Sequence, residues 1–339
     1  MRAQGCKQPV LADNERTVMA KRSLLVGFGG FLPERVVTNE ELATRLETSD
    51  DWIRTRTGIT RRHIAGPHDT ATTMGTEAAR RALDYAGLSA DDIDVVLVAT
   101  STPDQAFPAT AVRIQAALGM THGFGFDIAA ACSGFIFALA TADSFIRSGQ
   151  VRHALVIGSE VYSRIVDWED RGTCVLFGDG AGAVVLSASD ESGDRGILST
   201  HLHSDGTTGD LLYVDGAVGQ PDKSGHLKMS GRDVFRHAVA KLSSSVDEAL
   251  NAEGLTYADV DWLVPHQANI RIIEGVAKKL ALPAERVVVT VDRHANTSAA
   301  SIPLALDEAV RDGRIQKGEL VLMEALGGGL TWGSVLVRL

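Results

Sequence analysis

Three side chains in this sequence have types that together suit acyl-transfer chemistry: the thiol of Cys132, the imidazole of His266 and the carboxamide of Asn296. A thiolate attacks a thioester and carries the acyl group covalently. Imidazole and amide N–H groups steady the oxygen anions that form along the way. Cys132 follows the small residues Ala129-Ala130-Ala131 and opens an apolar stretch of helical period, Cys132–Ser148. A thiol at a helix N-terminus faces the positive end of the dipole and free N–H groups, which favour its anion. It needs that help, because a free thiol titrates near ~8.5. The other fate of a free cysteine is burial as a small apolar side chain, and Cys174, inside the apolar run Thr173–Phe177, is read that way.

His266 follows the strand-like Trp262–Val264 through Pro265, just past a strand's carboxyl end, where α/β proteins gather their sites. A lone histidine is more often a hydrogen-bonded core or surface residue. Its placement and its polar neighbours Gln267 and Asn269 single this one out. Asn296 lies in Asp292-Arg293-His294-Ala295-Asn296-Thr297-Ser298. Its amide can donate to an oxyanion without titrating, and its other use is as a helix N-cap. Different atoms of the side chain can serve both.

The glycine clusters are weaker signals. Gly27-Phe28-Gly29-Gly30 follows a strand, but Pro33 stands where a dinucleotide-binding turn must continue as helix. Gly178-Asp179-Gly180-Ala181-Gly182 lacks the Lys-Ser/Thr ending of a phosphate loop and reads as a tight strand-to-strand turn. Gly327-Gly328-Gly329 can bring backbone N–H groups close to a substrate carbonyl. No Cys/His cluster has metal-site spacing, so no metal is expected.

These residues need rigid elements beneath them. Short β-branched runs predict strands at Ser23–Val26, Val95–Ala99, Ala154–Ile157, Ala183–Leu186, Trp262–Val264, Val287–Val291, Leu320–Met323 and Ser334–Val337. Helical periods fill Thr72–Ala86, Ala109–Leu118, Val234–Asn251, Ile270–Leu280 and Ala299–Asp312. The alternation means an α/β fold. The chain also repeats itself: Gly87-Leu88-Ser89-Ala90-Asp91-Asp92-Ile93-Asp94 matches Gly254-Leu255-Thr256-Tyr257-Ala258-Asp259-Val260-Asp261, each followed by an apolar strand. Carried onward, the repeat sets Cys132 and Asn296 at corresponding points of two related halves, 21–190 and 191–339. A site at the seam between them follows. Residues 1–20 are polar, lack a secretory apolar core and read as a disordered extension, with Met19 just before the first strand.

The net charge is −10, which argues against a nucleic-acid partner. The longest apolar run, about 128–142, falls short of the ~20 residues of a membrane span. Three cysteines are too few for a disulfide framework, so a reducing cytoplasm is expected.

With these residues aligned, the sequence resembles the β-ketoacyl-acyl-carrier-protein synthase III family over about 23–339. The motifs that carry the resemblance are Thr48–Ile53 with Arg56–Ile59, Asp127–Phe135, Phe177–Gly182, Val264–Asn269, Asn296–Ser301, and Gly327–Gly329 with Thr331–Ser334. It implies a thiolase-like, duplicated αβαβα layered fold with two pseudo-symmetric halves. It implies an initiating condensing enzyme, an acyltransferase that joins an acyl-CoA primer, acetyl-CoA by expectation, to malonyl-acyl carrier protein without a cofactor. In that reading Cys132 is acylated, His266 and Asn296 hold the malonyl thioester, and the N–H groups of Cys132 and Gly328 form the oxyanion hole. Trp52 and Arg171 sandwich the CoA adenine, Arg56 meets its phosphates and Asn269 the pantetheine arm. Gln267, Ala268, Asn269, Ile270, Arg271, Lys278 and Lys279 dock the acidic carrier protein, with Arg232 and Arg236 extending the patch. A solvated basic helix face is the plainer reading of that set. Phe107 reaches across a homodimer interface to bound the acyl pocket, whose far wall is the 211–218 loop. Four positions depart from the family pattern: Ser133, Arg232, Ala295 and Leu326.

Three rivals stand beside this reading. A papain-like thiol hydrolase also orders Cys, His and Asn along the chain, but flanks them differently and is not duplicated. A starter-unit ketosynthase or acyltransferase of specialised metabolism, in the same superfamily, is barely separable by sequence. A non-catalytic partner subunit typically lacks the nucleophile, which is present here.

Overall fold

Buried apolar runs bounded by turns become strands, and longer amphipathic stretches become the helices that cover them. A computed structural model describes residues 22–189, 193–216 and 220–339. The expected extension at 1–20 lies outside the described residues, as do positions 217 and 218 of the pocket loop.

In the first sheet, β1 (Arg22–Phe31), β2 (Val95–Ala99), β3 (Phe124–Ile128), β4 (His153–Val161) and β5 (Asp179–Ser189) stand in the order β1-β5-β4-β2-β3. The second sheet holds β6 (Gly196–Ser204), β7 (Trp262–Pro265), β8 (Leu320–Gly327) and β9 (Thr331–Arg338) in the order β6-β9-β8-β7. The two orders superpose strand for strand. In each sheet the first two pairings are antiparallel and the third is parallel. The parallel β2–β3 pair has its counterpart in one parallel bridge, Leu263 with Val287.

The principal helices are α1 (Asp50–Thr57), α2 (Ala71–Ala86), α3 (Thr110–Ala117), α4 (Gly134–Arg147), α5 (Gly231–Ala252), α6 (Ile270–Lys279) and α7 (Ser301–Arg311). α4 and α7 fill the space between the sheets, α2 and α3 cover the outside of the first, and α5 with α6 lies over the second. Three apolar cores occupy the layer boundaries. This is the five-layered αβαβα arrangement that the resemblance implied.

Two local expectations fail for identifiable reasons. Val287–Val291 does not form a strand, because the N–H groups of Thr290 and Val291 donate to the Gln267 side chain instead of a neighbouring strand. Gly178–Gly182 is not a turn. Gly180 and Gly182 lie inside β5, where α7 crosses so closely that a Cβ on Gly182 would sit 2.7 Å from the Leu304 nitrogen.

Glycine in β1 does the same for α2. That helix starts at an N-cap, Thr70, with a reciprocal bond to Thr73, and stops at Gly87 in the left-handed conformation. Met74, Ala78 and Ala82 recur every fourth residue and face the sheet, fully buried. A Cβ on Gly29 would lie 2.2 Å from the Ala78 carbonyl oxygen, so only glycine lets helix and strand touch. Gly29→Ala is expected to cost about 1–3 kcal/mol in urea denaturation, the range of overpacked cores. An unchanged midpoint would show that α2 moves away freely.

Candidate active site

The chain leaves β3 and makes a tight turn, Ala131–Ser133, before α4 begins at Gly134. Ala131 takes a left-handed φ of 46°, which turns the backbone sharply before Cys132. The turn is pinned locally and from the other half: the Ser133 hydroxyl lies 2.8 Å from the Ala130 carbonyl and 2.8 Å from the Thr331 hydroxyl of the second half. That gives the departing Ser133 a use. Cys132 is buried and lines a cavity of about 520 Å³ with Tyr162, Phe177, Leu212 and Gly328. Burial pushes its thiol up to about 11, against hydrogen bonds from Ser298, Tyr162 and its own backbone N–H that favour the anion. The depressed thiol expected from the helix N-terminus alone is therefore corrected: desolvation outweighs the donors.

His266 stands at the end of β7, and its backbone N–H donates to the Glu324 carbonyl on β8, 2.8 Å away. Its Nδ1 lies 2.7 Å from the Ser301 hydroxyl at the start of α7. That hydroxyl also accepts the Gln267 N–H at 3.3 Å. Burial holds the imidazole down to about 3, so it is neutral near pH 7. Asn296 is fixed by backbone bonds to Leu176 and Gly178 and by its Oδ1, which accepts the Ser298 N–H at 2.9 Å. Its Nδ2 is left to donate. The N-cap alternative for Asn296 is corrected: Thr297 and Ala300 occupy the cap positions of the turn and helix that follow, and Asn296 Oδ1 closes a local turn instead.

His266 and Asn296 line a second cavity, of about 330 Å³, with Arg56, Asn269, Arg232 and Leu326. Phe177 and Leu212 wall both cavities. Leu326 and Gly328, two residues apart, put one wall in each. Ala295 takes φ 59° and ψ −163°, a conformation normally reserved for glycine, which explains the family's usual residue there.

At the outer rim, the guanidinium carbons of Arg56 and Arg171 sit 4.6 and 4.7 Å from the Trp52 ring centroid. Arg171 thus closes the slot expected for a base. Asn269 caps α6 by accepting the Ile272 N–H. Arg271, Lys278 and Lys279 are exposed, Ala268 and Ile270 half-buried. Lys279 is tied to Asp247 at 3.4 Å. Gln267 departs from its expected docking role. It is fully buried and bonded to Pro265, Val288, Thr290 and Val291, so it braces the loop under His266.

Two family models match the chain: 3-oxoacyl-[acyl-carrier-protein (ACP)] synthase III over residues 126–206, and the C-terminal model of the same synthase over residues 250–339. A β-ketoacyl-[acyl-carrier-protein] synthase III of Acidiphilium cryptum is 70% identical over 94% of this chain and 99% of its own. The chain belongs to the synthase III family. Among solved structures, the synthase III of Aquifex aeolicus is 47% identical with a TM-score of 0.89, covering 94% of this chain and 100% of its own. The priming β-ketosynthase of the R1128 polyketide pathway is 39% identical at TM-score 0.89, covering 96% and 98%. This synthase is accordingly a thiolase-fold condensing acyltransferase.

Sequence reasoning passed over three buried acids and hydroxyls of the synthase: Glu160, Tyr162 and Glu324. An acid set inside a buried apolar strand, as Glu160 and Glu324 both are, was the available signal. Among the described residues no group of three or more His, Cys, Asp or Glu is placed to hold a metal ion.

Glu324 lies opposite Pro265 in the β7–β8 pairing, buried, with Oε2 unpartnered. Burial pushes its carboxyl up to about 8, so it is mostly neutral near pH 7. The folded value lies above the unfolded one, so its stability contribution is full below about 4.5 and is lost as pH climbs through about 8. Glu324→Gln removes this loss. The variant's melting temperature, measured against pH, is expected to gain on the parent's progressively between those values. Parallel curves would mean that the carboxyl is ionised and paired in the folded protein.

Proposed function

We propose that this chain catalyses the initiating condensation of fatty-acid synthesis, joining an acyl-CoA primer to malonyl-acyl carrier protein with release of CoA and carbon dioxide. The observation that carries it is the division of labour between two adjoining cavities. One presents a thiol, the other a neutral imidazole and a free carboxamide N–H. Cys132 attacks the primer thioester, and the N–H groups of Cys132 and Gly328 hold the oxyanion. CoA leaves. The malonyl thioester then enters, with its carbonyl oxygen between His266 Nε2–H and Asn296 Nδ2–H. Loss of carbon dioxide leaves an enolate that these two donors stabilise. Its carbon attacks the acyl-cysteine, giving 3-oxoacyl carrier protein and free Cys132.

CoA approaches past Arg56 and Asn269, which line the malonyl-side cavity. Its adenine binds on Trp52 after Arg171 swings off the ring and folds back over the base. The acidic carrier docks on Arg271 and Lys278, with Ala268, Ile270, Lys279, Arg232 and Arg236 around them. A second copy of the chain completes the acyl pocket. Phe107 is 84% exposed, and among the described residues β3 is the outer strand of its sheet, which together support a homodimer along that edge. The reaction needs no cofactor. Two buried thiols, Cys132 and Cys174, suit a reducing cytoplasm. Curated relatives at 57–70% identity carry the synthase III name, which favours the housekeeping reading.

The half-reactions separate the residues. Cys132→Ala abolishes acetyl transfer from acetyl-CoA. His266→Ala and Asn296→Ala keep most acylation but lose roughly 10²–10³-fold in decarboxylation of malonyl-carrier protein, as when oxyanion donors are removed. Radiolabel transfer and carbon dioxide release measure the two steps. Equal loss of both in His266→Ala contradicts the assignment. Acceptance of an alcohol in place of malonyl-carrier protein contradicts the pathway.

A further inference from the structure

The proton on Cys132 has no place in the scheme so far. Nucleophilic attack requires it to leave, and burial holds it firmly on the sulfur. His266 is engaged through Nδ1 by Ser301, and in the proposed scheme its Nε2 is spent as a donor to the malonyl carbonyl, so it offers no lone pair to the thiol.

Behind Cys132 lies a chain of buried polar groups. Ser298 has a positive φ of 51° that turns its side chain inward from the Asn296 loop. Its turn packs directly against the Ala131–Ser133 turn, so its hydroxyl faces the Cys132 thiol and favours the sulfur anion; it also sits 3.0 Å from the Tyr162 hydroxyl and donates to Glu160 Oε1 at 3.1 Å. Glu160 is fully buried at the end of β4. Its other oxygen accepts from the Thr102 hydroxyl at 2.6 Å, the Ser101 N–H at 3.0 Å and the Thr100 hydroxyl at 3.3 Å. The titratable groups that face the carboxyl are Cys132 on the turn before α4 and Tyr162 beyond β4. No cation appears among the groups that shift it. Tyr162 is stacked on Phe177 with centroids 4.8 Å apart and stays protonated, because burial pushes it up. So many donors hold Glu160 in place but do not neutralise it. Burial raises its carboxyl to about 7, where it exchanges a proton readily at neutral pH.

We propose that Glu160 takes up the Cys132 proton through the Ser298 hydroxyl as the acyl group loads, and returns it by the same path when the acyl group departs. In loading, the sulfur–acyl bond forms as the acyl–CoA bond breaks. The thiol proton passes to Ser298, the serine proton passes to Glu160, and CoA leaves as a thiolate that takes a proton from water. In condensation, the enolate carbon displaces the Cys132 thiolate. The Glu160 proton moves back through Ser298 to the sulfur. One solvent proton is consumed per turnover, as decarboxylation of a malonate requires. Glu160 acts through Ser298 and touches no substrate, so its role is to hold the proton between the two half-reactions.

The inference rests on the acyl-transfer reading, and one experiment separates their failures. Single-turnover acetylation of Cys132 by acetyl-CoA is followed against pH in the full chain, beside alkylation of Cys132 by iodoacetamide. In the parent, acetylation is expected to rise with an apparent pKa near 7. In Glu160→Gln the neutral-pH rate falls roughly a hundredfold and that limb disappears. Alkylation in the same variant moves to lower pH, because a negative charge that opposes the thiolate is gone. Glu160→Asp restores the limb in part, and Ser298→Ala loses it with Glu160 still in place. A parent that never becomes acetylated overturns the function itself. A parent that acetylates normally beside a Glu160→Gln or Ser298→Ala variant with the same rate and limb overturns the relay alone. So does a Glu160→Gln variant that loses acetylation and alkylation together, since that marks a structural role.

Discussion

Everything at this site depends on backbone touching backbone where the two halves meet. A Cβ on Gly327 would lie 2.7 Å from the Cys132 nitrogen, and one on Gly158 would lie 2.2 Å from the Ala299 carbonyl oxygen. Side chains at those positions would wedge the halves apart. Because they are glycines, the end of β8, the turn before α4 and the loop after Asn296 converge. Ser133 and Thr331 then tie the first half to the second across that contact. The catalytic groups come from loops, but the scaffold that aligns them is rigid.

The second governing effect is desolvation. The same burial raises Cys132, Glu160 and Glu324 and lowers His266, so the resting site tends toward neutrality. In the proposed mechanism charge then develops mainly in the steps that need it, on sulfur, on the enolate oxygen and on the departing thiolate. In a dry environment fixed N–H donors act on those charges far more strongly than water-exposed ones do. The cost is that buried groups must be held by other protein groups. Ser301 does this for His266, Gln267 for the loop beneath it, and Ser101 with Thr102 for Glu160.

Much of this was legible in the sequence. The matched Gly-Leu-strand joints foretold two sheets of one topology, and the small residues before Cys132 marked the tight turn that carries it. What the sequence hid was long-range. Val287–Val291 has strand composition, but its amides are claimed by a glutamine more than twenty positions earlier. The Gly178–Gly182 run resembles a turn because local spacing cannot reveal a helix from the other half crossing a strand. Gln267 reads as a polar docking residue until its burial is seen. Glu160 lies far along the chain from both Cys132 and Ser298, so no motif links the three.

Peptide mass spectrometry of the protein after brief exposure to acetyl-CoA, followed by malonyl-carrier protein, tests the central claim most directly. The account predicts an acetyl group on the Cys132 peptide and none on Cys174. The second substrate should discharge that label as 3-oxobutyryl carrier protein. A label on Cys174, or one on Cys132 that malonyl-carrier protein cannot remove, would mean that the two halves do not build one site.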